Sequence, residues 1–159
     1  MSVQVGDSIP DVALKLATAE GPQGVQSGEY FAGKKVALFS VPGAFTPTCS
    51  AKHLPGYVEK AAELKAKGID EIVCTAVNDA FVMGAWGKAS GSDDVTMLAD
   101  GNGELAGALG LVMDGSGFGL GKRGQRFSMV INDGKVEVLN VEEPGDFRVS
   151  SAEHMLTQL

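Results

Sequence analysis

Cysteine is scarce in this sequence: only Cys49 and Cys74 occur among 159 residues. Two thiols are too few for the disulfide framework of a small secreted protein, and the opening residues MSVQVGDSIPD show no secretory signal. We therefore predict a reducing, cytoplasmic location. Both thiols stay free in such a compartment, and a free thiol is available for chemistry.

Long apolar runs and an excess of basic residues are missing as well. No run of about 18 apolar residues occurs, so the sequence predicts no membrane-spanning helix. The formal net charge of -7 at pH 7 argues against binding to nucleic acid or to anionic membranes. Two histidines and two cysteines, spread along the chain, give no pattern typical of a metal site, and no cofactor is predicted.

The pattern of the chain predicts one α/β domain spanning residues 1–159, because neither a repeat nor a linker is visible. Apolar and β-branched runs predict strands at about 12–16, 35–41, 71–77, 95–98, 127–131 and 135–141. Helices are predicted at about 47–67, with an interruption at Pro55-Gly56, at 80–88 and from 150 to the end. The strand–helix–strand order favours parallel strands, and Asn132-Asp133-Gly134 predicts an antiparallel hairpin.

Two glycine-rich stretches are predicted to be loops. Residues 21–28 are polar and contain several glycines. Residues 119–124 formally match the dinucleotide-binding pattern G-x-G-x-x-G, but a strand follows them where that site needs a helix. We interpret 119–124 as a mobile loop and not as a nucleotide site.

The most informative residue is Cys49, which is predicted to lie in the first turn of a helix. The strand at 35–41 is broken by Pro42-Gly43, after which Thr46 is a favourable N-cap and Pro47 a favourable first helical residue. Free backbone N–H groups and the positive end of the helix dipole stabilise a thiolate at that place. Cys49 is therefore predicted to be an activated nucleophile.

Three interpretations of Cys49 are open at this point: a nucleophile activated by the helix N-terminus alone, a nucleophile paired with a base, and a residue that does not react. His53 lies one helical turn further on, so the pair could be the nucleophile and base of a cysteine hydrolase. We favour His53 as a structural hydrogen-bonding residue beside the site. Cys49 could also pack without reacting, in a non-catalytic binding module.

Either Arg123 or Arg126 could point back over the helix tip and supply donors to an oxyanion, or both could be solvated.

Three segments resemble one known family. The stretch from Pro42 to Cys49 fits the peroxiredoxin pattern P-x-x-x-[TS]-x-x-C, and residues 42–61, 76–86 and 124–134 are similar to its type-five branch, which includes the plant type II enzymes. The resemblance, within the AhpC/TSA group of the thioredoxin-like superfamily, implies a central mixed sheet flanked by helices and an N-terminal β extension. It also implies an antioxidant homodimer that reduces hydrogen peroxide and organic hydroperoxides such as alkyl hydroperoxides.

The resemblance assigns a role to each of four residues. Cys49 corresponds to the peroxidatic cysteine, which attacks the peroxide and becomes a sulfenic acid. Thr46 corresponds to the hydroxyl that hydrogen-bonds thiolate and peroxide, and Arg126 to the arginine that stabilises the thiolate and orients the substrate. Pro42 corresponds to the proline that shields the thiolate from water.

The source of electrons is predicted to be an external thiol. Animal members of this branch carry a resolving cysteine near the C-terminus, but residues 147–151 contain none here. Cys74 is predicted about three residues before the end of its strand, roughly 10 Å below the edge of the sheet. A disulfide needs Cα atoms within about 7 Å, so Cys74 is predicted to be buried and structural. Glutathione, glutaredoxin or thioredoxin is the expected reductant.

The aromatic residues are candidates for subunit contacts in the implied homodimer, although they could equally belong to the core. The four candidates are Phe45, Phe81, Trp86 and Phe118.

Overall fold

A computed structural model describes residues 2–159, which form a seven-stranded mixed sheet with helices on both faces and a separate two-stranded sheet. The strands are β1 Ala13–Thr18, β2 Gly21–Gln26, β3 Lys35–Ser40, β4 Glu71–Ala76, β5 Val95–Ala99, β6 Val112–Asp114, β7 Lys122–Gly124, β8 Phe127–Asn132 and β9 Lys135–Val141. The helices are α1 Ser27–Tyr30, α2 Leu54–Glu59, α3 Ala61–Ala66, α4 Ala80–Ala89, α5 Glu104–Leu109 and α6 Ala152–Leu156.

The order of strands in the large sheet is β2-β1-β5-β4-β3-β8-β9. The three central strands β3, β4 and β5 run parallel, whereas β8 and β9 on one side and β1 and β2 on the other pair antiparallel. The predicted mixed sheet is thus confirmed, with the β1–β2 hairpin as its N-terminal extension. The parallel strands end together at one edge, which is where α/β proteins hold their ligands.

The core has two halves because the side chains of a strand point alternately to opposite faces. Ala37 and Phe39 of β3 pack with α2, α3, α4 and α6 on one face. Val36 and Leu38 pack with α5 and the N-terminal segment on the other face. The buried, nearly continuous apolar runs of β3 and β4 follow from this double coverage.

The helix after β3 begins at Pro47, but it is not regular. Cys49–His53 form a π-helical turn in which the Leu54 N–H bonds to the Cys49 carbonyl, and α2 continues directly from that turn. Pro55 has no N–H to donate to the preceding turn, which is a physical reason for a change of hydrogen-bond register just before it. The predicted single helix 47–67 is further divided at Lys60, between α2 and α3.

The hairpin prediction at 132–134 is confirmed. Asp133 and Gly134 both adopt positive φ angles, 49° and 78°, as a two-residue turn between β8 and β9 requires. Differences at the ends of the other predicted elements are small, the largest being in the final helix, which runs from Ala152 to Leu156 and not from 150 to the end of the chain.

The loop prediction for 21–28 is wrong because 21–26 form a strand, and that for 119–124 is wrong at 122–124, which form a strand as well. Residues 21–26 pair with β1 over its whole length, and Gly21 at φ 106° makes the turn that allows it. Pro22 is compatible with this place because β2 is an edge strand. Residues 122–124 pair with β6, and a 3₁₀ turn at Ser116–Phe118 precedes them. Within residues 2–159, no helix is long and apolar enough to cross a membrane.

Candidate active site

The sheet register brings the start of β8 beside the end of β3. Ser40, the last residue of β3, pairs with Phe127, the first residue of β8. Arg126 therefore lies next to the loop that leads from β3 to Cys49, although 77 positions separate the two residues in the chain. Of the two arginines that the sequence left open, the fold places Arg126 on the thiol.

Cys49 and Arg126 are in direct contact. Arg126 Nη2 donates a hydrogen bond to Cys49 Sγ at 3.1 Å, and the Cys49 side chain is fully buried. The Ser50 N–H bonds to the Thr46 carbonyl at 2.9 Å, so Thr46 is the N-cap by its backbone and Cys49 lies in the first turn. A guanidinium and a helix N-terminus both stabilise negative charge on the sulfur.

His53 holds Arg126 and does not touch the sulfur. Arg126 Nη1 lies 2.8 Å from His53 Nδ1, and an arginine can only donate, so Nδ1 accepts. The remaining ring proton is then on Nε2, which donates to the Ser150 carbonyl at 3.0 Å. Burial, followed by the charge of Arg126, lowers the pKa of His53 to about 3. The preferred interpretation of His53 is confirmed, since this imidazole is neutral and has no lone pair free to act as a base.

Behind His53 lies an anchor that the sequence analysis missed. The Ser150 carbonyl that accepts the hydrogen bond from His53 also accepts one from Tyr57 Oη at 2.9 Å. Glu142 fixes this segment, because its carboxylate accepts from the N–H groups of Arg148, Val149 and Ser150 and from the Ser150 hydroxyl. Burial raises the pKa of Glu142, but these hydrogen bonds outweigh burial and hold the pKa below its usual value.

The loop between β3 and the helix is held by polar contacts. The Thr46 hydroxyl donates to the Gly43 carbonyl at 2.7 Å, and the Ala44 N–H donates to Asn78 Oδ1 at 2.9 Å. The hydrogen bond from Thr46 to the thiolate that the resemblance implies is therefore not formed here, because this hydroxyl proton already has an acceptor. Phe45 adopts φ 66°, which is strained for a bulky residue and typical of functional loops.

Pro42 is half-buried, and its carbonyl faces Arg123. Arg123 Nη1 donates to this carbonyl at 3.3 Å, while Arg123 Nε donates to the Leu120 carbonyl at 3.0 Å. Arg123 therefore ties the β6–β7 hairpin to the loop that precedes Cys49, and it does not contact the sulfur. The two candidate arginines therefore have separate places, Arg126 at the sulfur and Arg123 at the Pro42 carbonyl.

Cys74 is buried in the middle of the sheet. It pairs with Phe39 of β3 and Met97 of β5, and its side chain is fully inaccessible. Burial, and then the nearby Cys49, raises the pKa of the Cys74 thiol well above its usual value. The structure thus agrees with the prediction of a buried, unreactive thiol. Nor do residues 2–159 hold any group of three or more side chains suited to a metal ion.

The lowered pKa of His53 predicts a loss of stability in acid. Between about pH 6.5 and pH 3 the unfolded chain binds a proton at His53 that the folded protein excludes, so folding weakens as pH falls. The limiting effect is about 1.4 kcal/mol per pH unit, or about 2–3 kcal/mol from pH 6 to pH 4. Urea unfolding at pH 6, 5 and 4 measures it.

A matched control for this prediction is available because the chain has only one other histidine. His154→Gln should lose as much stability between pH 6 and pH 4 as the wild type. His53→Gln should lose less, because the residue that excludes a proton on folding is no longer there. Equal losses in the two variants would assign the acid sensitivity to carboxylates instead.

Comparisons with known proteins agree on one family. The family model described as Redoxin matches residues 4–156. Peroxiredoxin-2E-2, chloroplastic, of Oryza sativa subsp. japonica is 53% identical over 164 residues, covering 99% of this chain and 73% of the rice protein. Peroxiredoxin-2B of Arabidopsis thaliana is 50% identical over 159 residues, covering 99% of this chain and 98% of its own length.

A solved structure gives the same result. The crystal structure of reduced Prx3 from Vibrio vulnificus in complex with H₂O₂ superposes with a TM-score of 0.95 at 52% identity, covering 98% of each chain.

Proposed function

Because this chain belongs to the redoxin family, and within it to the peroxiredoxins, it is a thiol-dependent peroxidase with a thioredoxin-like fold and an antioxidant role, and we propose that Cys49 is its peroxide-reducing sulfur. The observation that carries the proposal is the hydrogen bond of 3.1 Å from Arg126 Nη2 to Cys49 Sγ. Cys49 is also the only one of the two cysteines that lies at a helix N-terminus.

The proposed reaction starts from the Cys49 thiolate. Its sulfur attacks the terminal oxygen of a hydroperoxide, the O–O bond breaks, and water or an alcohol leaves after taking up a proton. Cys49 is oxidised to a sulfenic acid, and the peroxide is reduced by two electrons. Negative charge moves from sulfur to the leaving oxygen, and Arg126 is placed to donate to both atoms as it does so.

Thr46 and Pro42 have supporting roles in this proposal. The Thr46 hydroxyl donates its hydrogen bond to the Gly43 carbonyl, so the hydroxyl oxygen can act only as an acceptor. In this proposal it accepts a hydrogen bond from the O–H of the peroxide. Pro42 offers no N–H, and in this proposal its ring shields the sulfur from water. Hydrogen peroxide and alkyl hydroperoxides both present the required O–H group.

A cysteine hydrolase is not supported by this geometry. The base in such an enzyme must take the proton of Cys49, but both nitrogens of His53 bind other partners, Arg126 and Ser150. A pKa of about 3 also makes this imidazole a weak base near pH 7.

For regeneration we propose an external thiol, namely glutathione, with or without glutaredoxin, or thioredoxin. The support for this is Cys74, which is fully buried between β3 and β5 and whose raised pKa leaves little thiolate to attack a sulfenic acid. A cysteine in that position could react with Cys49 only after part of the sheet had opened.

Turnover of hydrogen peroxide with glutathione, glutaredoxin and thioredoxin systems in parallel tests this proposal, in the wild type and in Cys74→Ala. The alanine variant should retain most of the rate with the best reductant, because no internal disulfide is needed. A loss of more than about 10-fold, in a variant that unfolds at the wild-type urea concentration, would show that Cys74 resolves the sulfenic acid.

We also propose that the protein is a homodimer. Three of the four candidate aromatic side chains are exposed, Phe45, Phe81 and Phe118, and Phe118 is 88% accessible. Exposed aromatic rings of this size are typical of association surfaces. Trp86, in contrast, is buried, and its Nε1 donates to Ser50 Oγ at 2.9 Å. Sedimentation of the reduced protein should give twice the mass of the chain, and a monomer at micromolar concentration would contradict the proposal.

A cytoplasmic location stays a prediction. The two free thiols support a reducing compartment, while relatives of this chain include a protein named as chloroplastic. Fractionation of the source cells would test it, and recovery of the protein in an oxidising compartment would contradict it.

A further inference from the structure

A pocket of about 380 Å³ lies beside the loop that leads to Cys49. Lys122, Arg123 and Asn102 line it together with the apolar side chains of Val77 and Val112. We propose that this pocket binds a carboxylate of a small anionic thiol such as glutathione, and so positions the reductant for Cys49. The inference rests on the proposed regeneration by an external thiol.

The charge of the pocket is opposite to the charge of the protein. The net charge is -7, yet two cations and no carboxylate line this pocket. Among residues 2–159, neither Lys122 nor Arg123 forms an ion pair within 4.0 Å. The exposed Asp114 lies opposite Lys122 in the β6–β7 pair, but its carboxylate binds the Ser116 N–H and hydroxyl. The pocket therefore attracts an anion in a protein that otherwise repels one.

Arg123 is held in place for such a ligand. Its Nε and Nη1 donate to the carbonyls of Leu120 and Pro42, which fixes the plane of the guanidinium. In the part of the chain that the structure describes, Nη2 has no acceptor, so donors remain for a carboxylate. A fixed guanidinium loses little conformational entropy on binding, which favours recognition of a planar anion.

The pocket lies within reach of the reacting sulfur. A Cβ atom placed on Gly43 would be 2.9 Å from Arg123 Nη1 and 3.1 Å from Thr46 Cγ2, so both side chains lie against the same open side of Gly43 and close to each other. Cys49 lies in the helical turn that Thr46 begins. The thiol of glutathione lies on its central residue, so about two residues of extended chain, roughly 7 Å, join it to a terminal carboxylate and allow that carboxylate to bind Arg123 while the thiol approaches Cys49.

The size of the pocket favours a small ligand over a protein surface. Pockets of a few hundred Å³ are typical of sites for small molecules, and the combination of an apolar wall with a few placed donors is typical as well. Glutathione has two carboxylates and one ammonium group, so it carries the negative charge that the pocket lacks.

Two thiol molecules reduce the Cys49 sulfenic acid in two successive steps. The thiol of the first molecule attacks the sulfur of the Cys49 sulfenic acid, the S–O bond breaks, water leaves, and a mixed disulfide forms. A second thiol then attacks the sulfur of the bound molecule. The reductant leaves as its disulfide, Cys49 returns to the thiolate, and the two thiols have supplied the two electrons that the peroxide removed.

Binding and turnover of Lys122→Gln and Arg123→Gln test the proposal. The probe for binding is S-methylglutathione, which keeps both carboxylates but cannot react. Its dissociation constant, followed by NMR titration, should rise about 10-fold in Lys122→Gln and further in Arg123→Gln, since each variant removes a charged donor. Higher salt should weaken binding to the wild type.

The controls separate a binding role from a general effect. Lys88→Gln changes the same charge on an exposed residue of α4 outside the pocket and should bind the probe like the wild type. Lys122→Gln should raise KM for glutathione while its rate with uncharged dithiothreitol stays constant.

Three results would be decisive in other ways. Wild-type affinity for the probe in both variants would contradict the proposal that this pocket binds the reductant. A glutaredoxin-driven rate that depends on Lys122, in a protein that does not bind the probe, would contradict it as well. Probe binding that depends on Lys122 and Arg123, combined with no turnover on glutathione, would support the pocket and contradict the proposed reductant alone.

Discussion

Cys49→Ser should abolish peroxide reduction. A serine hydroxyl in the same place is almost completely protonated near pH 7 and is a far weaker nucleophile than a thiolate, even beside Arg126. The rate with hydrogen peroxide should fall on the order of 10⁴-fold or more, to the level of the buffer control. Stopped-flow mixing of the reduced protein with peroxide, followed by steady-state turnover, measures both the oxidation step and the full cycle.

The second cysteine provides the control for this experiment. Cys74→Ala removes a thiol from the same core without touching Arg126 or the helix N-terminus, and its first oxidation step should match the wild type. Mass spectrometry should find one added oxygen per chain in Cys74→Ala and none in Cys49→Ser after one equivalent of peroxide. The assignment of Cys49 fails if the serine variant still consumes peroxide at a substantial rate.

The parts of the fold that could be predicted are those set by local sequence. The apolar runs of β3 and β4, and the Asp133-Gly134 turn, carry their own signals, and all were predicted within one or two residues. The strand at 21–26 has no such signal. Its residues GPQGVQ have low strand propensity, and only pairing with β1 along its whole length makes it a strand.

The candidate site likewise contains residues that local sequence signals predict and residues that only the folded chain brings together. Cys49 could be found from its cap and proline, because a helix N-terminus is a local feature. From the residue pattern alone Arg126 and Arg123 could not be told apart, and only the family resemblance selected Arg126, since the pairing of Ser40 with Phe127 decides which arginine reaches the sulfur. Glu142 gave no signal at all. Its role depends on N–H groups six to eight residues away that converge on one carboxylate only after the chain has turned.

Arg126 is expected to supply the second largest effect. It is half-buried, one of its nitrogens binds Cys49 Sγ at 3.1 Å, and another binds His53 Nδ1 at 2.8 Å. The fixed ring of His53 and the segment held by Glu142 keep the guanidinium aimed at the sulfur before peroxide arrives. Donors that are positioned in advance lower a barrier because they need no rearrangement as charge moves.

Arg126→Gln should therefore reduce the second-order rate constant with hydrogen peroxide about 10²- to 10³-fold, the usual effect of removing one preorganised donor. Arg126→Lys should recover part of this loss, because it restores the charge but cannot bind the sulfur and His53 together. Arg148→Gln is the matched control: it removes the same charge from a side chain that is 80% exposed and should keep the wild-type rate. If Arg148→Gln lost as much as Arg126→Gln, net charge and not the contact with Cys49 would govern the reaction.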